Sequence, residues 1–246
     1  MRLALFVTGL LLAVTALAAT PEETVRQAMS TLAPKVKIDA VQDSVIPGFY
    51  EAIVGNDFVY VSKDGRYVID GNAYDVDNRI DLTSSARAKV RKSAIDKVGP
   101  EKRITFSPNA PLTTKHKVVV FTDVDCPFCR RFHQQIAAYN AKGIAVDYLF
   151  YPLSIHPGAD RKAEAVWCAK DRTNAFTAAM AGADPGKATC PNPLPELTQL
   201  AQSLGIGGTP TILTDDGTQI SSQIAMSPDQ LAAELDRLAQ ANAGKN

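Results

Sequence analysis

Two cysteines three positions apart are the most reactive residues in this sequence. The motif Cys126-Pro127-Phe128-Cys129 follows the apolar run Val118–Phe121, which predicts a buried strand that gives way to a helix at the motif. Unpaired backbone N–H groups and the helix dipole favour an anion at a helix N-terminus and lower the pKa of a thiol there. We therefore expect Cys126 to be an exposed nucleophile and Cys129 to be the shielded thiol that resolves its mixed disulfides.

Zinc binding and an inert disulfide are the two competing explanations of this pair. Zinc would need a second close pair of ligands, whereas Cys168 and Cys190 are 22 positions apart and no His-x-x-x-His pattern follows. An inert disulfide between residues this close would constrain little chain, so it would add little stability. The sequence therefore favours a redox-active dithiol that uses no metal and no other cofactor.

The elements that must position this dithiol alternate between strand and helix from Ile104 onward. Lys117–Thr122 and Ile144–Tyr151 predict strands, and Cys126–Ala141 predicts a helix between them. A helical alanine-rich stretch, a shorter helix, a β-hairpin and a final amphipathic helix follow, at 159–181, 194–204, 211–220 and 228–241. The order strand, helix, strand, helical insertion, hairpin, helix is that of a thioredoxin-like domain.

A second motif, Gly207-Gly208-Thr209-Pro210-Thr211, precedes the first strand of the hairpin. In thioredoxin-like folds a cis-proline begins the strand that faces the dithiol, and the residue before it offers backbone hydrogen bonds to an extended substrate. We therefore expect Thr209 and Pro210 to bind substrate, together with Pro127 and Phe128.

The other two cysteines are interpreted as a structural disulfide. Of the three possible pairings, Cys168–Cys190 with Cys126–Cys129 is the only one that leaves the dithiol free to cycle. Such a bridge would stabilise the domain by roughly 3 kcal/mol in the chain-entropy model.

Three titratable residues lie close to the dithiol in the sequence. His133 lies two helical turns after Cys126, too far to act directly on its sulfur, and is interpreted as a packed or surface histidine. Asp123 and Asp125 precede the thiol and, if ionised and close, would oppose thiolate formation. They could instead relay protons to Cys129, so their roles stay open.

Composition excludes several classes of function. The 246 residues carry 26 basic and 26 acidic side chains, whereas a nucleic-acid binder carries a basic surplus. The same balance excludes a polybasic protein of the membrane surface. Four cysteines are too few for a small domain held together by disulfides.

The first 18 residues predict a cleaved secretory signal. Arg2 precedes the apolar run Leu3–Ala18, which ends in small residues that a signal peptidase could cut. The run is shorter than the ~20 residues that span a bilayer, so we expect no stable membrane insertion. The mature chain would enter an oxidising compartment, where disulfides persist.

Residues 19–83 predict a small α+β domain. Thr20-Pro21-Glu22-Glu23 opens a helix with a capping box. The runs Phe49–Val54, Phe58–Val61 and Tyr67–Asp70 then form an antiparallel meander across turn residues that include Gly55-Asn56-Asp57. A domain this small has a thin core, and its edge strands are natural places to pair with a partner.

A helix over Ser84–Val98 predicts a linker spanning 84–100, before a catalytic domain over 101–246. Thr83 or Ser84 can cap this helix, and Gly99-Pro100 ends it. Its apolar stripe is narrow and five basic residues crowd the rest, which favours a solvated helix that bridges two domains.

Taken together, these motifs resemble the DsbC/DsbG family of periplasmic thiol:disulfide interchange proteins over nearly the whole mature chain. Besides the dithiol and the Thr209-Pro210 element, the resemblance includes Pro47-Gly48-Phe49-Tyr50-Glu51, Tyr60-Val61-Ser62, Asp64-Gly65-Arg66-Tyr67 and Phe121-Thr122-Asp123. One departure lies between the cysteines, where Pro127-Phe128 replaces the Gly-Tyr usual in DsbC and is nearer the Pro-Tyr of DsbG.

The resemblance implies a V-shaped homodimer joined through small cystatin-like N-terminal domains, with two dithiols facing an apolar cleft. It implies a periplasmic isomerase or reductase that acts on misoxidised or unfolded secreted proteins and holds them as a chaperone does. A membrane reductase of the DsbD type would keep the dithiol reduced. The alternatives are a DsbG-like reductase, which protects single cysteines from sulfenic acid, and a chaperone holdase without redox activity.

Overall fold

The computed structural model describes residues 19–54 and 57–243 and divides into two compact units. Among the described residues, one unit holds 19–54 together with Val59–Asp70, and the other holds 71–243 together with 57–58. The predicted signal peptide (1–18) and the turn residues Gly55-Asn56 lie outside the described residues. The predicted domain boundaries after residues 83 and 100 stay predictions.

Helix α1 (Pro21–Leu32) opens the first unit with the predicted capping box. The Thr20 hydroxyl accepts a hydrogen bond from the Glu23 backbone N–H, and the Glu23 carboxylate accepts one from the Thr20 N–H. These two bonds satisfy donors that the first turn of a helix leaves unpaired. The helix buries Val25 and Met29 against the small core of this unit, which includes Ala52, Val59 and Val61.

A four-stranded sheet forms the rest of the first unit, in the order β1-β2-β3-β4. Its strands are β1 (Ile38–Asp43), β2 (Phe49–Val54), β3 (Asp57–Ser62) and β4 (Val68–Asp70). The three strands of the predicted meander are present. β1 was not predicted, because four of its six side chains are exposed and the strand lacks a continuous apolar face. β1 and β4 are the edges of this sheet.

The second unit begins with a short hairpin, β5 (Tyr74–Asp75) and β6 (Ile80–Asp81), followed by helix α2 (Leu82–Ile95). The N-cap of α2 is Asp81, whose carboxylate accepts a hydrogen bond from the Ser84 N–H, so the predicted caps Thr83 and Ser84 are wrong. The helix also ends earlier than predicted, four residues before Gly99.

Helix α2 packs on the second unit and is not a solvated bridge. Ile95 and Val98 are 6% and 5% exposed and lie in one core cluster with Phe121 and Leu149. Nη2 of Arg103 donates hydrogen bonds to the carbonyl oxygens of Ile95 and Val98, at 2.8 and 2.7 Å. The charged composition of the helix concealed this packing, because a narrow apolar stripe near its C-terminal end is enough to dock it.

A five-stranded sheet forms the centre of the second unit, in the order β11-β10-β8-β9-β7. Its strands are β7 (Ile104–Phe106), β8 (His116–Thr122), β9 (Ile144–Phe150), β10 (Thr211–Thr214) and β11 (Gln219–Ile220). β8 and β9 run parallel, and the other neighbours are antiparallel. All seven residues of β9 are buried, because helices cover both faces of the sheet.

Seven further helices complete the second unit among the residues described. They are α3 (Pro127–His133), α4 (Ile136–Ala141), α5 (Ala159–Trp167), α6 (Arg172–Met180), α7 (Leu194–Ser203), α8 (Ser222–Ala225) and α9 (Pro228–Ala243). The element order is the predicted thioredoxin-like one. Within residues 19–54 and 57–243, no helix is both long and apolar enough to cross a membrane.

The single helix predicted over 126–141 is wrong, since it breaks into α3 and α4 at Gln134-Gln135. The side-chain amide of Gln135 donates a hydrogen bond to the carbonyl oxygen of Met226, 91 positions away, at 3.0 Å. The Tyr139 hydroxyl donates to the neighbouring Ala225 carbonyl at 2.7 Å. These tertiary contacts accompany the break, and local helical periodicity contains no sign of them.

Candidate functional site

The dithiol lies where β8 ends and α3 begins. Cys126 is the N-cap residue of α3, and Pro127 occupies the first turn, where a missing N–H costs nothing. The Cys126 N–H donates to the Asp123 carbonyl at 3.2 Å, and the Cys126 carbonyl accepts from the Arg130 N–H at 3.1 Å. A buried strand on one side and a helix on the other therefore fix the position of the reactive sulfur.

Cys126 is not the exposed nucleophile that the sequence predicts, because only 4% of the residue is exposed. Its thiol donates a hydrogen bond to the carbonyl oxygen of Thr209 at 3.2 Å, so the segment before Pro210 closes over it. A hydrogen bond from the Cys129 thiol, supported by the backbone N–H groups of Cys129 and Phe128, lowers the pKa of Cys126 to about 5. The lowered pKa favours the thiolate form of Cys126 at neutral pH.

Cys129 is the more deeply buried thiol, with 1% of the residue exposed. Burial raises the pKa of Cys129 well above its usual range, and the hydrogen bond that it makes with Cys126 acts in the same direction. Both cysteines are free thiols in the structure. The shielded position predicted for Cys129 is the one observed.

The second predicted motif lies directly against the dithiol. The Thr209–Pro210 peptide bond is cis, and the next residue begins β10, which pairs with β8 through Thr211 opposite Phe121. Pro127 and Phe128, in the first turn of α3 next to Cys126, are exposed, Phe128 by 56%. An extended substrate chain could thus contact an exposed aromatic ring and the backbone beside Thr209.

The two aspartates before Cys126 are each held by cationic side chains. The buried carboxylate of Asp123 lies 2.7 Å from Nδ1 of His156. The carboxylate of Asp125 accepts from Nη2 of Arg130 and from Nζ of Lys162, both at 2.8 Å. Sequence reasoning did not find these three cations, because two of them come from beyond β9 and no local pattern marks them.

His133 is a packed histidine, one of the two alternatives that the sequence leaves open. Its Nδ1 lies 3.0 Å from the Tyr148 hydroxyl and its Nε2 lies 3.1 Å from the Thr177 hydroxyl. Burial lowers the pKa of His133 to about 4, so the ring is neutral at physiological pH. It faces an aromatic cluster with Phe106 and Phe176 and does not reach the dithiol sulfurs.

The remaining cysteines are joined by a disulfide between Cys168 and Cys190, with Cα atoms 5.7 Å apart. The bond ties the C-terminal end of α5 to the loop before α7, and Cys168 and Cys190 pack against the main core of the unit. In the described part of the chain, no group of three or more His, Cys, Asp or Glu side chains could hold a metal ion.

Comparison with known proteins identifies a matching family model for each of two parts of the chain. The family model of the thioredoxin-like domain matches residues 109–239, and that of the disulfide bond isomerase protein N-terminal domain matches residues 16–84. The thiol:disulfide interchange protein DsbC of Dickeya dadantii is 31% identical over 228 residues, which cover 92% of each chain. Its counterpart in Haemophilus influenzae is 32% identical over 203 residues, which cover 81% of this chain and 84% of the relative.

Among solved structures, a disulfide interchange protein from Neisseria gonorrhoeae is similar with a TM-score of 0.48 at 31% identity. The match covers 56% of this chain and 98% of that one. The relatedness to the curated proteins extends over both units, and the site contains the free dithiol that thiol–disulfide exchange requires. The chain therefore belongs to the DsbC family of thiol:disulfide interchange proteins and is a disulfide isomerase and reductase with a thioredoxin-like domain.

Proposed function

We propose that this protein is a periplasmic homodimer that shuffles or reduces mispaired disulfides in secreted proteins, with Cys126 as nucleophile and Cys129 as resolving thiol. The observation that carries the assignment is the placement of the two sulfurs, since Cys126 is the N-cap residue of α3 beside the Thr209 carbonyl and Cys129 lies deeper in the core. The pKa of Cys126 is lowered to about 5, whereas burial raises that of Cys129. The Cys126 sulfur is therefore suited to nucleophilic attack at neutral pH, whereas Cys129 favours the protonated thiol form.

In the first step the Cys126 thiolate attacks one sulfur of a substrate disulfide. The substrate S–S bond breaks, a mixed disulfide forms on Cys126, and the other substrate sulfur leaves as a thiolate. Isomerisation follows when a substrate thiolate attacks the substrate sulfur of the mixed disulfide. A new substrate disulfide forms and the Cys126 thiolate is released, so no net oxidation occurs.

Reduction follows when Cys129 acts before a substrate thiol does. Cys129 loses its proton and attacks the Cys126 sulfur, the substrate leaves as a thiolate, and a Cys126–Cys129 disulfide remains. Because burial raises the pKa of Cys129, the attacking thiolate is scarce and the mixed disulfide persists. This delay favours isomerisation. A membrane reductase of the DsbD type would supply the two electrons that restore the dithiol after each reduction.

Three further features support the location and the assembly in this proposal. The run over residues 1–18 has the sequence of a cleaved secretory signal. The match of residues 16–84 to an isomerase N-terminal domain supports a dimerisation role for a domain over 19–83. On edge strand β4 and beside it, Ile69 and Tyr67 are 47% and 53% exposed, a surface that a second copy could cover.

The test is recovery of activity from a scrambled protein with several disulfides, in a glutathione buffer. We expect recovery with the wild-type protein and none with the Cys126→Ser variant. Recovery that does not depend on Cys126 would contradict the proposal. Suppression of aggregation by the Cys126→Ser variant would show that a chaperone activity exists and is separate from the redox chemistry.

A DsbG-like reductase of sulfenylated single cysteines is the second candidate. The observation that favours it is Pro127, which occupies the position of proline in the Pro-Tyr dipeptide of DsbG. Weak recovery of the scrambled protein, combined with rapid Cys126-dependent reduction of a sulfenic acid, would select this function over isomerisation.

A further inference from the structure

The carboxylate of Asp123 is a buried charge three residues before the nucleophile. None of its side chain is exposed. Oδ1 accepts a hydrogen bond from the Asp125 N–H at 2.8 Å, and Oδ2 accepts from the Leu153 N–H at 2.8 Å. Oδ2 also lies 2.7 Å from Nδ1 of His156, whose side chain is 21% exposed on the loop that follows β9.

A buried carboxylate at this position works against the chemistry of the site unless a cation compensates it. Burial of an unpaired charge is costly, and a negative charge near a thiol opposes formation of the thiolate. Asp125 is compensated by Arg130 and Lys162, which come from α3 and α5. Among the ion pairs of the described residues, the cation paired with Asp123 is His156.

We propose that His156 is a positioning residue for thiol–disulfide exchange, which acts through Asp123. Its imidazolium compensates the buried carboxylate and thereby adds to the stabilisation of the Cys126 thiolate. The inference rests on the proposed role of Cys126 as nucleophile. It also gives the charge balance of the site a titratable member, since a histidine can lose its proton near neutral pH.

The charges that face His156 all favour its protonated form. The hydrogen bond to Asp123 raises the pKa of His156 above its usual 6.5, and the negative charges of Asp123, Cys126 and Asp125 act in the same direction. Cys126 is charged above about pH 5. The imidazolium and the thiolate therefore coexist from about pH 5 to beyond pH 6.5. The coupling between the two charges is reciprocal. Loss of the His156 imidazolium must therefore raise the pKa of Cys126, and loss of the Cys126 thiolate must lower the pKa of His156.

The first test titrates the Cys126 thiolate by its ultraviolet absorbance in the reduced protein. His156→Asn retains an N–H donor near the Nδ1 position but cannot carry charge. We expect the apparent pKa of Cys126 to rise by about half a unit to one unit, as removal of one nearby opposite charge does. An unchanged thiolate titration would overturn the proposal.

Two further variants separate this effect from a general structural one. His116 forms a matched pair with Asp236, at 2.7 Å, at the opposite end of β8, so His116→Asn should leave the thiolate titration unchanged. In an Asp123→Asn background the effect of His156→Asn should shrink, because the carboxylate to be compensated is gone. An undiminished effect in that background would exclude action through Asp123.

A third measurement uses the wild-type protein, so its result does not depend on whether a variant folds. Imidazole resonances should give a higher pKa for His156 in the reduced protein than in the form with a Cys126–Cys129 disulfide, whereas that of His116 should not change. Equal pKa values for His156 in the two forms would overturn the proposal. If this coupling is observed but a scrambled protein is not reactivated, the isomerase assignment fails and the role of His156 stands.

Discussion

At the scale of single residues, the site shifts the pKa values of two chemically identical side chains in opposite directions. Cys126 receives hydrogen bonds at a helix N-terminus, and Cys129 lies one turn further into the core. The motif predicted this division, since helix geometry alone places the first cysteine among unpaired donors. It did not predict that Cys126 is buried, because the covering carbonyl of Thr209 comes from 83 positions away.

His133 illustrates a second residue whose charge state the fold determines. Its pKa is lowered to about 4 by burial, so the folded protein keeps the ring neutral while the unfolded chain binds a proton below about pH 6.5. Between about pH 4 and pH 6.5 the unfolded state therefore binds one proton more than the folded state. The folded protein loses stability as the pH falls through this range.

We predict that the free energy of unfolding falls by roughly 1 to 3 kcal/mol between pH 6.5 and pH 4 because of this histidine. Urea unfolding of the wild-type protein and of His133→Gln across this range measures it. The variant should lose less stability on acidification, whatever its absolute stability. Identical pH slopes in the two proteins would contradict the assignment of a neutral buried ring.

At the scale of elements, three segments that are distant in sequence meet around the dithiol. They are the junction between β8 and α3, the cis-proline segment before β10 and the loop after β9. The strands β8 and β9, the later hairpin and most of the helical regions of the second unit were predictable from apolar runs and helical periodicity, whereas the short strands β5, β6 and β7 and the division of 159–181 into α5 and α6 were not. The packing of α2 on the sheet and the break before α4 were not predictable either, because each depends on a contact with a distant segment. The cap of α2 is local, but it lies at Asp81 and not at the predicted Thr83 or Ser84.

The contact between α2 and the turn from β10 to β11 depends on Gly217. This glycine has a φ of +84°, and an added Cβ would meet the Ala88 carbonyl and lie 2.7 Å from the Lys92 backbone nitrogen. Gly182 provides a matched control, since its φ is +96° but an added Cβ there would meet no atom within 4 Å.

We predict that Gly217→Ala destabilises the protein by at least about 2 kcal/mol more than Gly182→Ala, which bears only the ~1 kcal/mol cost of the left-handed backbone. The extra loss arises because α2 must move away from the turn. Chemical denaturation of both variants measures the difference. Equal losses of stability in the two variants would show that α2 does not pack as closely against this turn as the structure indicates.

At the scale of the whole molecule, the proposed dimer depends on the sheet of the first unit. A meander with a thin core and with edge strands suited to pairing was predictable from the alternation of strands and turns. The sequence could not show which edge would be free, since β1 escaped detection and its place at the opposite edge emerged only from the structure.

We predict that Ile69→Lys on β4 raises the dissociation constant of the dimer at least tenfold, a loss of about 1.4 kcal/mol, because the charge would have to be buried at the pairing edge. Val45→Lys is the control, since Val45 is 69% exposed in the same unit but lies outside the strands. Sedimentation equilibrium measures both. A dimer unaffected by Ile69→Lys would place the interface elsewhere.

The most direct test of the mechanism identifies which sulfur carries the substrate. The Cys129→Ser variant, incubated with a misoxidised protein, should accumulate a mixed disulfide that a non-reducing gel detects and peptide mapping assigns to Cys126. The Cys126→Ser variant should form no adduct and show no turnover, because the remaining thiol is buried and protonated. An adduct on Cys129, or turnover without Cys126, would contradict the assignment of Cys126 as the nucleophile.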